Sequence, residues 1–169
     1  MNRTFVLLLG LLATGCLAED PASFRTVDEL LLGRWTFPNP DGGDPTIDLT
    51  LDGEFAASNG VPGATVLSYS GRFWQGDGVL AFRGFGANRG GGVTVTFVTY
   101  RVEESSGLNL RLIEIDDAFV RGLAGVEDLN ALSNGDVENV LRRFDGLDIP
   151  DSALGFLEVY VRLVPGGSV

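Results

Sequence analysis

Cys16 is the single thiol in 169 residues, there is no histidine, and all 12 basic residues are arginine, set against 23 Asp and Glu. Those counts decide most of the available chemistry. A serine or threonine nucleophile needs a neighbouring base, and neither an imidazole nor a lysine amine is present to act as one; no Gly-x-Ser-x-Gly turn occurs either. One cysteine closes no intrachain disulfide and builds no multi-cysteine metal site. The carboxylates are the remaining reactive groups. Asp41, Asp44, Asp48, Asp52 and Glu54 are oxygen ligands by type, but miss the spacing and glycine position of an EF-hand loop. Asp116 with Asp117, and Asp145 with Asp148 and Asp151, read as solvated acidic loops. The residues therefore point to a non-enzymatic protein with no catalytic residue, no metal and no cofactor. The formal charge of −11 further excludes nucleic acid, whose phosphates this field repels.

Two other stretches merit weighing as sites. In Gly84-Phe85-Gly86-Ala87-Asn88-Arg89-Gly90-Gly91-Gly92 the glycines miss the Gly-x-Gly-x-x-Gly spacing and lead into a strand instead of opening a helix, so the run reads as a loop and not a phosphate cradle. Phe85 and Arg89 in that loop, with Arg121 and the outer face of residues 136–143, are the candidate surface for a protein partner, because buried aromatic and arginine anchors carry most interface affinity.

The first residues form an address. Arg3 precedes an apolar run over residues 5–13, about half the length needed to span roughly 30 Å of hydrocarbon. Leu12-Ala13-Thr14-Gly15-Cys16 resembles the lipobox of bacterial lipoproteins, with Ala13 where that family usually carries leucine. The resemblance implies a signal peptide over residues 1–15, Cys16 as the diacylated first residue of the mature chain, and a tether over residues 16–25. Leu17 stands where an aspartate would resemble an inner-membrane retention signal, so the implied destination is the outer membrane, facing the periplasm. The membrane is then a partner through the acyl chains, each buried methylene adding about 0.8 kcal/mol. Cleavage would remove only Arg3 among the charged residues, so the acidity belongs to the mature chain.

Behind the tether, residues 26–169 have the size of one domain. Thr26 and Glu29 suggest a capped helical turn before Gly33. Alternating apolar residues then predict strands over residues 46–51 and 54–57, joined at Asp52-Gly53, and over 65–75, with Trp74 on the nominally polar side. Further strands are predicted at 79–83, 93–102, 108–115 and 156–163, the last with Leu157, Val159, Val161 and Leu163 as its apolar side. Between the last two strands, Val126, Leu129 and Leu132, then Val137, Val140, Leu141 and Phe144, recur at helical spacing. They predict a helical hairpin inserted over residues 123–145, covering an opening or one wall of the sheet.

Seven or eight antiparallel strands with short connections favour a mainly β fold, a small antiparallel β-barrel or sandwich. Gly33-Arg34-Trp35, after a helical turn and before a series of hairpins, resembles the Gly-x-Trp opening of lipocalins and of small bacterial lipocalin-like lipoproteins. A similar opening occurs in bacterial protease-inhibitor barrels, whose core disulfide this chain lacks. The lipocalin resemblance implies that Gly33 and Trp35 are the fold signature, that Trp35 packs at the closed end of the barrel, and that Arg162 on the last strand stacks over it. Two functions fit such an envelope barrel: a protein-interaction or assembly-support module, which the residues favour by default, and a carrier of a small apolar molecule or lipid. For the carrier, Tyr69, Phe73, Phe97 and Tyr160 are the candidate ligand wall.

Overall fold

The computed structural model describes residues 27–38, 43–58, 66–88 and 92–163. Cys16, the leader and tether, Thr26 and Arg89 lie outside them. Eight strands follow in chain order: β1 (Gly33–Thr36), β2 (Thr46–Leu49), β3 (Glu54–Ser58), β4 (Val66–Gly76), β5 (Val79–Asn88), β6 (Val93–Ser105), β7 (Asn109–Ile115) and β8 (Leu154–Arg162). Each pairs antiparallel with its neighbour in sequence, and β8 returns to β1 to close the barrel, with Trp35 opposite Arg162 and Thr36 opposite Val161. This up-and-down, eight-stranded closed barrel is consistent with a lipocalin-like fold, and closure leaves the sheet no free edge. Two short helices, α1 (Asp117–Ala124) and α2 (Asn134–Arg142), stand between β7 and β8.

Strand alternation sorts the apolar side chains into two cores. Trp35, Leu49, Phe55, Phe73, Leu80, Phe82, Leu110 and Leu112 point inward and pack together with Leu31. Their neighbours in sequence, including Trp74, Val79, Ala81, Phe97 and Ile115, point outward and are covered by Val120, Leu129, Val137, Val140, Leu141 and Phe144 from the helical insertion. The helices thus cover a wall and leave the barrel's opening clear. Trp74 is buried on the side that looked polar because α2 lies over it. Burying each large side chain of this outer layer contributes about 1.5–3 kcal/mol, which offsets the cost of ordering helices too short to form alone.

The insertion starts earlier than the apolar spacing predicts. Asp116 accepts hydrogen bonds from the Ala118 and Phe119 amides, and Gly125, at φ 74°, ends the helix, so start and stop signals bracket Asp117–Ala124. Leu129–Ala131 forms only a single 3-10 turn, which still delivers Leu129 and Leu132 to the outer core. Ser133 caps α2 in a reciprocal box with Asp136, and that exchange lowers the Asp136 pKa.

The glycine-rich run is also different from the expected loop. Gly84 to Asn88 continues β5, paired with β4 on one side and β6 on the other. A Cβ on Gly84 would lie 2.6 Å from the Phe55 ring, and one on Gly71, its partner across the ladder, 2.1 Å from the Arg83 carbonyl oxygen. These glycines serve close packing inside the barrel, not mobility.

Candidate functional site

At the closed end, the turn after Asp28 plugs the barrel. The Asp28 amide donates to Gln75 Oε1, and Ser105 Oγ donates to an Asp28 carboxylate oxygen, tying the turn to β4 and β6. Trp35 is wholly buried on this plug, its indole N–H donating to the Leu31 carbonyl at 2.8 Å. The Arg162 guanidinium lies 4.3 Å from the Trp35 ring centroid and donates to the carbonyls of Leu32 (2.7 Å) and Leu30 (2.6 Å). The stacking implied by the Gly-x-Trp resemblance is present. Gly33 completes the arrangement: at φ 120°, its missing Cβ would lie 2.9 Å from an Arg162 nitrogen.

Toward the other end the same interior is hollow. A cavity of about 490 Å³ opens there, within the range of about 300–1,000 Å³ typical of small-molecule sites. Phe37, Phe55, Tyr69, Phe82, Tyr100 and Tyr160 supply its aromatic lining, with aliphatic surface from Ile47, Ala57, Val98 and Leu112. Several rings meet edge to face: Phe37 with Tyr160 at 5.8 Å, Phe55 with Phe82 at 5.3 Å and Phe82 with Tyr100 at 5.9 Å. Such contacts hold the wall in shape.

One carboxylate enters this lining. Glu158 projects from β8, and its Oε2 accepts the Tyr160 hydroxyl at 2.7 Å. Burial, then the charge of Glu158, pushes the Tyr100 and Tyr160 hydroxyls well above their ordinary value of 10.0, so both remain neutral donors. Glu114, opposite Tyr100 on β7, is pushed above its ordinary 4.5 by desolvation and then by Glu158, Asp117 and Asp116. Because its folded pKa is the higher one, ionised Glu114 costs stability above that value, and the cost is relieved as pH falls toward 4.5. Glu114→Gln is therefore expected to raise Tm at pH 7 and to match the wild type below about pH 4; a Tm difference independent of pH would refute the assignment.

The structure divides the four candidate wall residues. Tyr69 and Tyr160 line the cavity. Phe73 lies in the filled interior core, packed on Phe82 at 6.0 Å, and Phe97 points out of the barrel under the helices. The alternation of β6 put branched or aromatic residues on both faces, so its sequence did not choose between Phe97 and the inward pair Val98 and Tyr100. Phe85 is 54% exposed on the outer face of β5, and Arg121 is exposed on α1. Glu158 was missed, as it lay on the side of β8 opposite Leu157, Val159 and Val161. Those three face outward, 38–42% exposed, while Glu158, Tyr160 and Arg162 face in. The available signal was Arg162 itself: once it is placed over Trp35, every second residue of β8 must share its side. Among the described residues no cluster of three or more potential metal ligands occurs. Comparison with family models, with curated proteins and with solved structures finds no match to the chain.

Proposed function

We propose that the chain is a carrier that holds a small, largely apolar molecule in the open half of its barrel. One observation supports this reading above the others: an aromatic cavity of about 490 Å³ continuous with a firmly closed floor. A barrel of this size can fill its interior with side chains, and this one does so only from Phe73 toward the plug. Of the described candidates for the protein-docking function favoured by sequence, Phe85 and Arg121 stand on separate elements, and the outer face of residues 136–143 borders a second cavity, also of about 490 Å³, whose lining from Ala124 to Arg143 contains no aromatic ring. Ala57, on the inner face of β3, offers the test. Ala57→Trp is expected to fill the cavity mouth and reduce binding of the neutral fluorophore N-phenyl-1-naphthylamine at least about tenfold, with the far-ultraviolet spectrum unchanged. Equal binding by both proteins would place the fluorophore elsewhere and remove the support for carriage.

The same proposal sets the carrier on a membrane. The lipobox-like residues ending at Cys16 support a lipid anchor, and Leu17 supports the outer membrane. Intact mass of the protein from a bacterial envelope is expected to show cleavage before Cys16 and added acyl chains. Cleavage after Ala18 without acylation would instead describe a secreted carrier.

A further inference from the structure

We propose that the occupant of the cavity is a monovalent organic ammonium, an apolar body bearing one protonated amine that meets the Glu158 carboxylate. The inference rests on the carrier reading and adds the chemical class of the cargo. Among the described residues Glu158 is the one charged side chain in the lining. Tyr160 occupies Oε2, and no described residue donates to Oε1, so one carboxylate oxygen is left for a further donor. A charge-assisted hydrogen bond there is shorter and roughly twice as strong as a neutral one.

The surroundings select for a cation in three further ways. Tyr69, Tyr100, Tyr160 and the phenylalanines make the lining aromatic, and the faces of such rings attract an ammonium group and do not attract a carboxylate. Among the described residues no arginine lines the cavity: Arg162 is committed to the floor, Arg34 pairs with Asp48 at 2.8 Å, and Arg101 pairs with Glu103. A fatty acid would thus bring its carboxylate beside Glu158 with no counter-charge from the described lining, in the field of a chain already at −11. A divalent metal is disfavoured on ligand count, as a hard cation takes six or more oxygens and the described lining offers one carboxylate. The volume lies in the lower part of the usual range, suited to a body of one or two rings.

A matched set of probes tests the charge alone: tryptamine, 3-ethylindole and indole-3-propionate share a ring system and differ in being cationic, neutral and anionic at pH 7. Isothermal titration of the whole chain is expected to rank them in that order, with tryptamine at least about tenfold tighter than 3-ethylindole. Glu158→Gln keeps the shape and removes the charge. It is expected to weaken tryptamine about 10- to 100-fold, the range for losing a hydrogen bond to a charged group, and to leave 3-ethylindole within about twofold. Equal affinities across the set, a preference for the propionate, or a tryptamine advantage that survives Glu158→Gln would overturn the proposal. If N-phenyl-1-naphthylamine still binds the wild type and is blocked by Ala57→Trp, carriage stands and only the ammonium selection fails. If no probe binds, both fail together.

Discussion

Trp35→Ala is expected to destabilise the protein by about 3–5 kcal/mol, the range for emptying a buried aromatic site. The loss has two parts beyond area. The indole N–H bond to Leu31 disappears, leaving that carbonyl without its donor, and Arg162 loses the ring on which it stacks. A Trp35→Phe variant keeps an aromatic face and is expected to lose only about 1–2 kcal/mol. Arg162→Met should fall between these, since it leaves the Leu30 and Leu32 carbonyls unpaired but keeps an apolar cover for the ring. Trp35 and Arg162 touch, so their effects are not expected to add, and a double-mutant cycle in urea should return a coupling of about 0.5–2 kcal/mol. A Trp35→Ala loss below about 1 kcal/mol would show that the plug and stack are not what closes the barrel floor.

The second large effect concerns two glycines that look equivalent in sequence. Gly71 and Gly84 face each other across β4 and β5, yet a Cβ on each meets different matter. On Gly71 it would lie 2.1 Å from the Arg83 carbonyl oxygen and 2.6 Å from the Gly84 Cα, both backbone atoms held in the ladder. Gly71→Ala must therefore spread the two strands, and about 3 kcal/mol of destabilisation is expected, at the upper end for overpacking. On Gly84 the nearest obstacle is the far end of the Phe55 ring, at 2.6 Å, which can swing. Gly84→Ala is expected to cost about 1 kcal/mol and to act instead on the cavity, because Phe55 would be driven into the space it now lines. Urea midpoints and N-phenyl-1-naphthylamine affinity, measured on both variants, read the contrast. Equal stability losses would mean that the strands yield as readily as the ring.

The order of the strands, the Asp52-Gly53 hairpin, the helical layer before the last strand and the pairing of Arg162 with Trp35 were all legible from local pattern and from the Gly-x-Trp resemblance. The extent of β5 was not. Gly84 and Gly86 read as a loop because glycine lowers strand propensity, and the contact that favours glycine at position 84 comes from Phe55, some thirty residues earlier in the chain. The first helix was displaced for a similar reason. Val126, Leu129 and Leu132 have helical spacing, but the cap at Asp116 and the stop at Gly125 outweighed it, and one 3-10 turn suffices to seat Leu129 and Leu132.

By itself the sequence determined which chemistry is closed: without histidine or lysine no serine can be activated by the usual bases, and with one cysteine no disulfide forms within the chain. It also determined that each strand has two unlike faces. Only the tertiary structure decided which face is inside. Alternation is symmetric with respect to the sheet, and direction comes from what covers each side. Helices cover the outside of β4 to β7, so Trp74 and Phe97 are buried there and stay off the cavity wall. Among the described residues nothing comparable covers β8, whose apolar Leu157, Val159 and Val161 are partly exposed, while Trp35 draws Arg162 inward and Glu158 and Tyr160 follow on the same side. That inversion puts a carboxylate, which the apolar pattern of the strand had assigned to solvent, into the lining of an aromatic cavity.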